Sequence, residues 1–202
     1  MLRWLRQRAE TSRKAEELYG NVVAAARQPD FYGALGVPDT PEGRFELVAL
    51  HLFLALEVLR GKGADAEALA RRTIETFVID MDDCMREMGV GDLTVPKKVK
   101  RAAAAFYERA SIYRQDLIED LAQDLAQNLA QAEPGAPRLT KSLRGYVFAN
   151  SVERGEGAAG LAHYMQAASS ALADHAFGEF VNAGMASRLL AAATSKHKVS
   201  MT

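Results

Sequence analysis

Cysteine is almost missing. Cys84 is the only one in 202 residues, so the chain has neither an internal disulfide framework nor a cysteine-rich zinc site. A lone thiol of this kind reads as a small, half-buried, reduced side chain. Six prolines and 15 glycines are too few for a disordered or fibrous polypeptide. Excess charge of one sign is also absent. The 25 bases face 26 acids, for a net charge of -1 and a pI near 6.4. This excludes a protein that coats nucleic acid through overall basicity, although local patches stay open. The longest apolar stretch, Leu47 to Leu59, is interrupted by His51 and Glu57. A membrane span needs about 18 residues, so the chain is not expected to cross a bilayer. Met1 to Glu10 is rich in arginine but lacks a continuous apolar core and is not expected to direct export. What remains is 22.0 kDa of chain, 49% hydrophobic and 25% charged. That is the balance of one soluble globular domain, which buries roughly 70% of its unfolded surface.

Isoleucine is scarce too, with only Ile74, Ile79, Ile112 and Ile118. Alanine and leucine dominate, and no two-residue alternation runs far enough for a strand. The reading is all-α: a single-domain, irregular multi-helix bundle around a central buried helix. A first helix is predicted from Leu2 to Arg27, with a loop over Pro29 to Asp39. Thr40-Pro41 forms an N-cap followed by proline at the first helical position. The helix it opens is apolar on nearly every face from Leu47 to Leu59, so it is placed at the centre. A third helix runs from Asp65 to Met88 and stops at Gly89, a residue suited to a left-handed cap. A fourth starts near Pro96 and passes Tyr113, with Val99, Ala103, Phe106, Ala110 and Tyr113 inward and Lys97, Lys100 and Arg101 outward.

Between Asp120 and Gln131 the unit Asp-Leu-Ala-Gln recurs, the last time with Asn in place of Asp. Leu117, Leu121, Leu125 and Leu129 then advance by about 40° per step. They form a slowly rotating ridge expected to pack on the domain, not a coiled-coil seam. Glu133-Pro134-Gly135-Ala136-Pro137 is the one clear break. Three shorter helices follow, Leu139 to Ala149, Ala158 to Ala173 and Phe177 to Ala193. In outline, 1–30 is an amphipathic N-terminal helix, 31–133 the core region, 134–193 a C-terminal helical layer of the same domain and 194–202 a frayed polar tail.

Catalytic constellations are thin. Asp80 and Asp83 share one helical face and could bridge a divalent ion, as the aspartate-rich helix of an all-α isoprenoid synthase does. That pattern wants a third aspartate where Arg86 stands, and a second acidic motif is missing. The plainer reading is a solvated acidic face. His51, His163, His175 and His197 are scattered without Glu-x-x-His pairs, and His51 reads as a satisfied core histidine. No phosphate loop or nucleophile elbow is visible.

Charge is arranged more tellingly. Asp65 to Asp92 carries eight acids against Arg71, Arg72 and Arg86. Lys97, Lys98, Lys100, Arg101, Arg109 and Arg114 then face Glu108 alone. The two helices either neutralise each other or leave Lys97, Lys98, Lys100 and Arg101 free at a helix start, where the dipole opposes them and an anionic partner is favoured. A ribosome- or RNA-binding module is one reading of that cluster. At the chain start, Leu2, Arg3, Trp4, Leu5 and Arg6 suit either contact with an anionic membrane surface or docking on the core.

Several segments in order resemble the ubiquinol–cytochrome c chaperone family. They are Phe31-Tyr32, the run Gly36 to Glu46, Leu50-His51, Phe77, Asp80-Met81-Asp82, and Arg86 to Asp92. Val95, Lys97, Lys100, Phe106-Tyr107, Arg109 and Tyr113 complete the set. The resemblance is most specific from Phe31 to Tyr113. Glu108 departs from it, since the family pattern has glycine between the aromatic pair and the arginine. The resemblance implies a non-enzymatic, cofactor-free, all-helical assembly factor for respiratory complex III that binds newly made cytochrome b or another complex III component. It implies a small helper protein and the ribosome as further partners, and no DNA. It also implies a place at the inner face of an energy-transducing membrane: cytoplasmic and peripheral in a bacterium, matrix-side in a mitochondrion. Candidate partner-binding residues are Arg44, Asp80, Asp82, Asp83, Arg86, Asp92, Lys97, Lys98, Lys100, Arg101 and Arg109. They would border a groove between the loop at Gly36 to Arg44, the turn at Gly89 to Asp92 and the start of the fourth helix.

Overall fold

The computed structural model describes residues 2–130, 137–149, 155–182 and 184–199. Among them every regular element is a helix: α1 (Leu2–Ala26), α2 (Pro29–Gly33), α3 (Pro41–Leu59), α4 (Ala64–Glu87), α5 (Val95–Ala130), α6 (Arg138–Tyr146), α7 (Gly155–Ala171), α8 (Phe177–Asn182) and α9 (Met185–Val199). The fold is an all-α multi-helix bundle with α3 at its centre.

The composition of α3 explains that position. The Thr40 hydroxyl accepts a hydrogen bond from the Gly43 N–H at 3.2 Å, and Pro41 opens the first turn. The helix then buries Glu46, Leu47 and every residue from Ala49 to Ala55. Around it, α1 lays down Ala15, Tyr19, Val22, Ala25 and Ala26. Each fully buried large apolar side chain contributes roughly 1.5–3 kcal/mol, and α1 is thereby fixed to the core over its second half. Aromatic contacts knit the layers. Phe77 of α4 meets Tyr19 (6.2 Å between centroids), Phe45 (6.2 Å) and Phe106 (5.6 Å). Phe31 of α2 meets both His51 and Tyr164. Tyr113 of α5 lies between Phe53 and Tyr146.

Helices α1 and α4 run in the same direction. Gln7 reaches Asp65, Ser12 accepts from Arg72, and Tyr19 donates to Asp80, so both chains climb together. Chain reversal between α4 and α5 is short and begins at Gly89, whose φ is +77°, a conformation that costs glycine little.

Four expectations change. The loop expected at Pro29–Asp39 contains the one-turn helix α2, too short for a periodic signal. The stretch expected as one helix from Phe177 to Ala193 is two helices, with Gly184 at φ +67° between them. The second of these continues to Val199, through residues expected in a polar tail. Lastly, the leucine ridge is already off the domain at Leu121. Leu117 packs against the core, but Leu121 is 62% exposed. The reason is the 40° drift per step, which carries the ridge off the face that α6 covers. That face is set by Asp120, whose carboxylate accepts the Arg138 and Leu139 N–H groups at 2.8 and 3.2 Å and caps α6. The side chains of Leu125 and Leu129, and the break at Glu133 to Ala136, lie outside the described residues.

Candidate functional site

The helix hairpin α4–α5 gathers most of the expected site residues at one end. Arg86 donates to both Asp82 and Asp92, so the turn is tied back onto α4. Val95 is fully buried and anchors the start of α5. Between these fixed points Leu93 is 100% exposed, and Met88 is 58% exposed beside it. Lys97, Lys98, Lys100 and Arg101 follow, all exposed. Among the described residues none of the four makes an ion pair. They sit at a helix N-terminus with no acidic residue in its first turn, where the backbone dipole repels them. Four unpaired cations and a solvent-facing leucine thus share one tip.

The expected neutralisation of α4 by α5 does not occur among the described residues. Two of the three α4 arginines pair within their own hairpin: Arg72 with Glu75, and Arg86 with Asp82 and Asp92. The α5 arginines reach across to α3 instead. Arg109 grips Glu46 in a two-point contact of 2.6 and 2.7 Å, and Arg114 grips Glu57. The Arg109 and Glu46 side chains are only 15% and 7% exposed. Burial lifts the Glu46 carboxyl above its ordinary value against the pull of Arg109. On the other side, burial opposes the Arg109 charge, but the contact with Glu46 outweighs it. The guanidinium also lies 4.5 Å over the Tyr146 ring. Arg109 is therefore a tie inside the fold.

Asp80 has a similar duty. Its carboxylate accepts the Tyr19 hydroxyl at 2.7 Å, and Tyr19 titrates above its ordinary value through burial first and this contact second. That use joins α1 to α4 and occupies one of the two carboxylates a bridged magnesium would need. Asp83 is exposed on the adjoining face. Arg44 is exposed at the start of α3 and bonded to Asp39 at 2.6 Å. Asp39 sits below its ordinary value because Arg44 donates to it. No described hydrogen bond or ion pair joins Arg44 to the hairpin tip. Of the expected membrane-contact residues, Arg6 is exposed, while the side chains of Leu2, Arg3, Trp4 and Leu5 lie outside the described residues.

His51 is a core group. The Leu47 carbonyl can only accept, so His51 Nδ1 donates to it at 2.7 Å, and Nε2 accepts the Tyr164 hydroxyl at 2.9 Å. Desolvation brings the imidazole down to about 4, against a small upward pull from Leu47, and it is neutral at physiological pH.

Two concavities lie away from the tip, and neither involves the segments expected to border a groove. One, of about 360 Å³, separates the first turns of α1 from those of α4. The other, of about 450 Å³, runs between the end of α3, the first half of α4 and the middle of α5. Sequence reasoning found the cations of the tip but missed Leu93 and this second groove. The available signal for Leu93 was an isolated leucine within a turn, between Gly91-Asp92 and Thr94.

Among the described residues, these features define an all-helical protein whose α4–α5 tip sets exposed cations beside an exposed leucine. Among the described residues, no helix is long and apolar enough to cross a membrane. Residues 33–187 match the family described as Ubiquinol-cytochrome C chaperone, and this chain belongs to that family. It is similar in fold to the solved crystal structure of the Cbp3 homolog from Brucella abortus, with 31% sequence identity over 92% of each chain and a TM-score of 0.66. No curated protein sequence matches it.

Proposed function

We propose that this chain is a non-enzymatic assembly factor that holds newly made cytochrome b while ubiquinol–cytochrome c reductase is put together, at the inner face of the cell membrane. Family membership supplies the process. The observation that carries the site is the α4–α5 tip, where Lys97, Lys98, Lys100 and Arg101 make no ion pair among the described residues and stand beside the fully exposed Leu93. Exposed apolar surface supplies binding energy at about 25 cal/mol per Å², while unpaired cations steer an acidic or interfacial segment into place. The client meets the tip, with Asp83 and the Asp82–Arg86–Asp92 clip on its edge. The residues Leu2 to Arg6 at the start of α1 rest on anionic lipid.

Affinity capture from membranes tests this reading. The triple variant Lys97→Glu, Lys100→Glu, Arg101→Glu should lose at least tenfold of its co-purifying cytochrome b, with thermal stability nearly unchanged because none of the three takes part in packing. Unchanged capture would show that the tip is the wrong surface. Salt-sensitive binding to RNA by the wild type in place of cytochrome b would favour a ribosomal role for the same cations.

A further inference from the structure

The groove between α3, α4 and α5 lies at the other end of α4 from the tip. Its floor is apolar. Phe53 and Phe106 are buried beneath it, and Leu56, Leu59 and Ile74 are half-buried along it. Tyr107 stands on one wall, 56% exposed. The α3 wall runs from Phe53 to Leu59, about 9 Å at 1.5 Å per residue, and Arg60 and Gly61 extend it past the helix end.

The rim is charged unevenly. Arg60 and Arg114 both donate to the single carboxylate of Glu57. Arg71 stands on the same rim and makes no ion pair among the described residues. Glu67 is the only other carboxylate there. Three guanidinium groups therefore face two carboxylates around an apolar trough, and two of the three are already spent on Glu57. A trough walled by just under two helical turns and the segment that follows them, edged with arginine, matches the helix-in-groove mode, in which apolar side chains at i, i+3 or i+4 and i+7 fill the floor. Tyrosine and arginine at such an edge are also the residue types that carry binding energy at protein interfaces.

We propose that this groove receives a short helical segment of a partner protein, one that presents apolar side chains on one face and a carboxylate beside them. The carboxylate would meet Arg71, and Tyr107 would close over the apolar face. The site is independent of the tip, so the two can be disabled separately.

The test is a titration of the full chain, methyl-labelled at Ile and Leu, followed by NMR. The probe is a 14-residue alanine-based helical peptide with leucines at i, i+4 and i+7 and a glutamate on either edge of that stripe. Saturable shifts are expected at Leu56, Leu59 and Ile74. Affinity should fall at least fivefold when the peptide glutamates become lysines, and similarly for Arg71→Glu or Tyr107→Ser, both exposed positions whose replacement leaves the core intact. Shifts centred elsewhere, no saturation at millimolar peptide, or equal binding of the lysine peptide would overturn the proposal. So would concentration-dependent self-association in sedimentation that Tyr107→Ser abolishes, because a second copy would then be the occupant. Loss of peptide binding in Arg71→Glu with cytochrome b capture retained would still support the groove as a separate surface.

Discussion

Replacing Arg109 with methionine keeps the length of the side chain and removes its charge. The Glu46 carboxylate, 7% exposed, then loses two hydrogen bonds of 2.6 and 2.7 Å and its only counter-ion among the described residues. Stranding one member of a buried pair costs about 3–5 kcal/mol, and losing the cation above Tyr146 adds about 1 kcal/mol. For a chain of this size, about 2–4 °C is lost per kcal/mol, so the melting temperature should fall by roughly 10–20 °C. The deficit should also depend on pH in a defined direction. Without the guanidinium, burial alone holds the Glu46 carboxyl above its unfolded value. The folded state then keeps a proton that the unfolded state has released, so stability falls as pH rises through that window. Denaturant titrations of Arg109→Met at about pH 5 and about pH 8 should therefore differ, with the greater loss at the higher pH. The double variant Glu46→Leu, Arg109→Met removes both charges and should recover to within about 1–2 kcal/mol of wild type. If the single variant costs less than about 1 kcal/mol and shows no coupling to Glu46, the pair is not the buried tie described above. Arg109 would then be released as a candidate for partner contact.

Two further perturbations probe the core. His51 should make the fold acid-sensitive: between its unfolded value of 6.5 and its folded value of about 4, only the unfolded state takes up the proton. Stability should fall as pH drops through that window, by roughly 3 kcal/mol in total, and His51→Leu paired with Tyr164→Phe should remove this component in denaturant titrations across the range. A methyl group at Gly157 would lie 2.1 Å from the Leu35 carbonyl oxygen, so Gly157→Ala should destabilise by about 1–3 kcal/mol or more; a methyl group at Gly20 would meet nothing within 4 Å beyond its own stretch of helix, and Gly20→Ala should instead stabilise α1 by about 0.5–1 kcal/mol, the two being compared by thermal melts.

Local chemistry was readable in the sequence where one residue decides the outcome. Thr40 announced the start of α3, Gly89 the end of α4, and the unbroken apolar run of α3 its central place. The all-α architecture followed from these signals and from the lack of strand periodicity. Partner choice over long distances was not readable. The acids of α4 and the bases of α5 look complementary along the chain, yet Arg109 and Arg114 turn toward α3, because a carboxylate inside a buried helix needs a cation more than an exposed one does. Glu46 carried that signal, as a lone acid within an apolar helix. Nor does a one-dimensional pattern say where helices leave space between them, and the groove at Leu56 and Ile74 arises only from how three helices cross. Short elements escaped for another reason: α2 is five residues long, shorter than two periods of its own repeat.

The parallel course of α1 and α4 sets a distance. The 24 residues of α4 give a rod of about 36 Å, with the beginning of α1 level with one end and Leu93 near the other. That is close to the thickness of a bilayer's hydrocarbon layer, about 30 Å. A molecule seated on lipid by its amino-terminal end, as proposed above, would hold its cationic tip one such length out into the aqueous phase. Under the proposed seating, α4 would act as a ruler for how far from the lipid a polypeptide is first met.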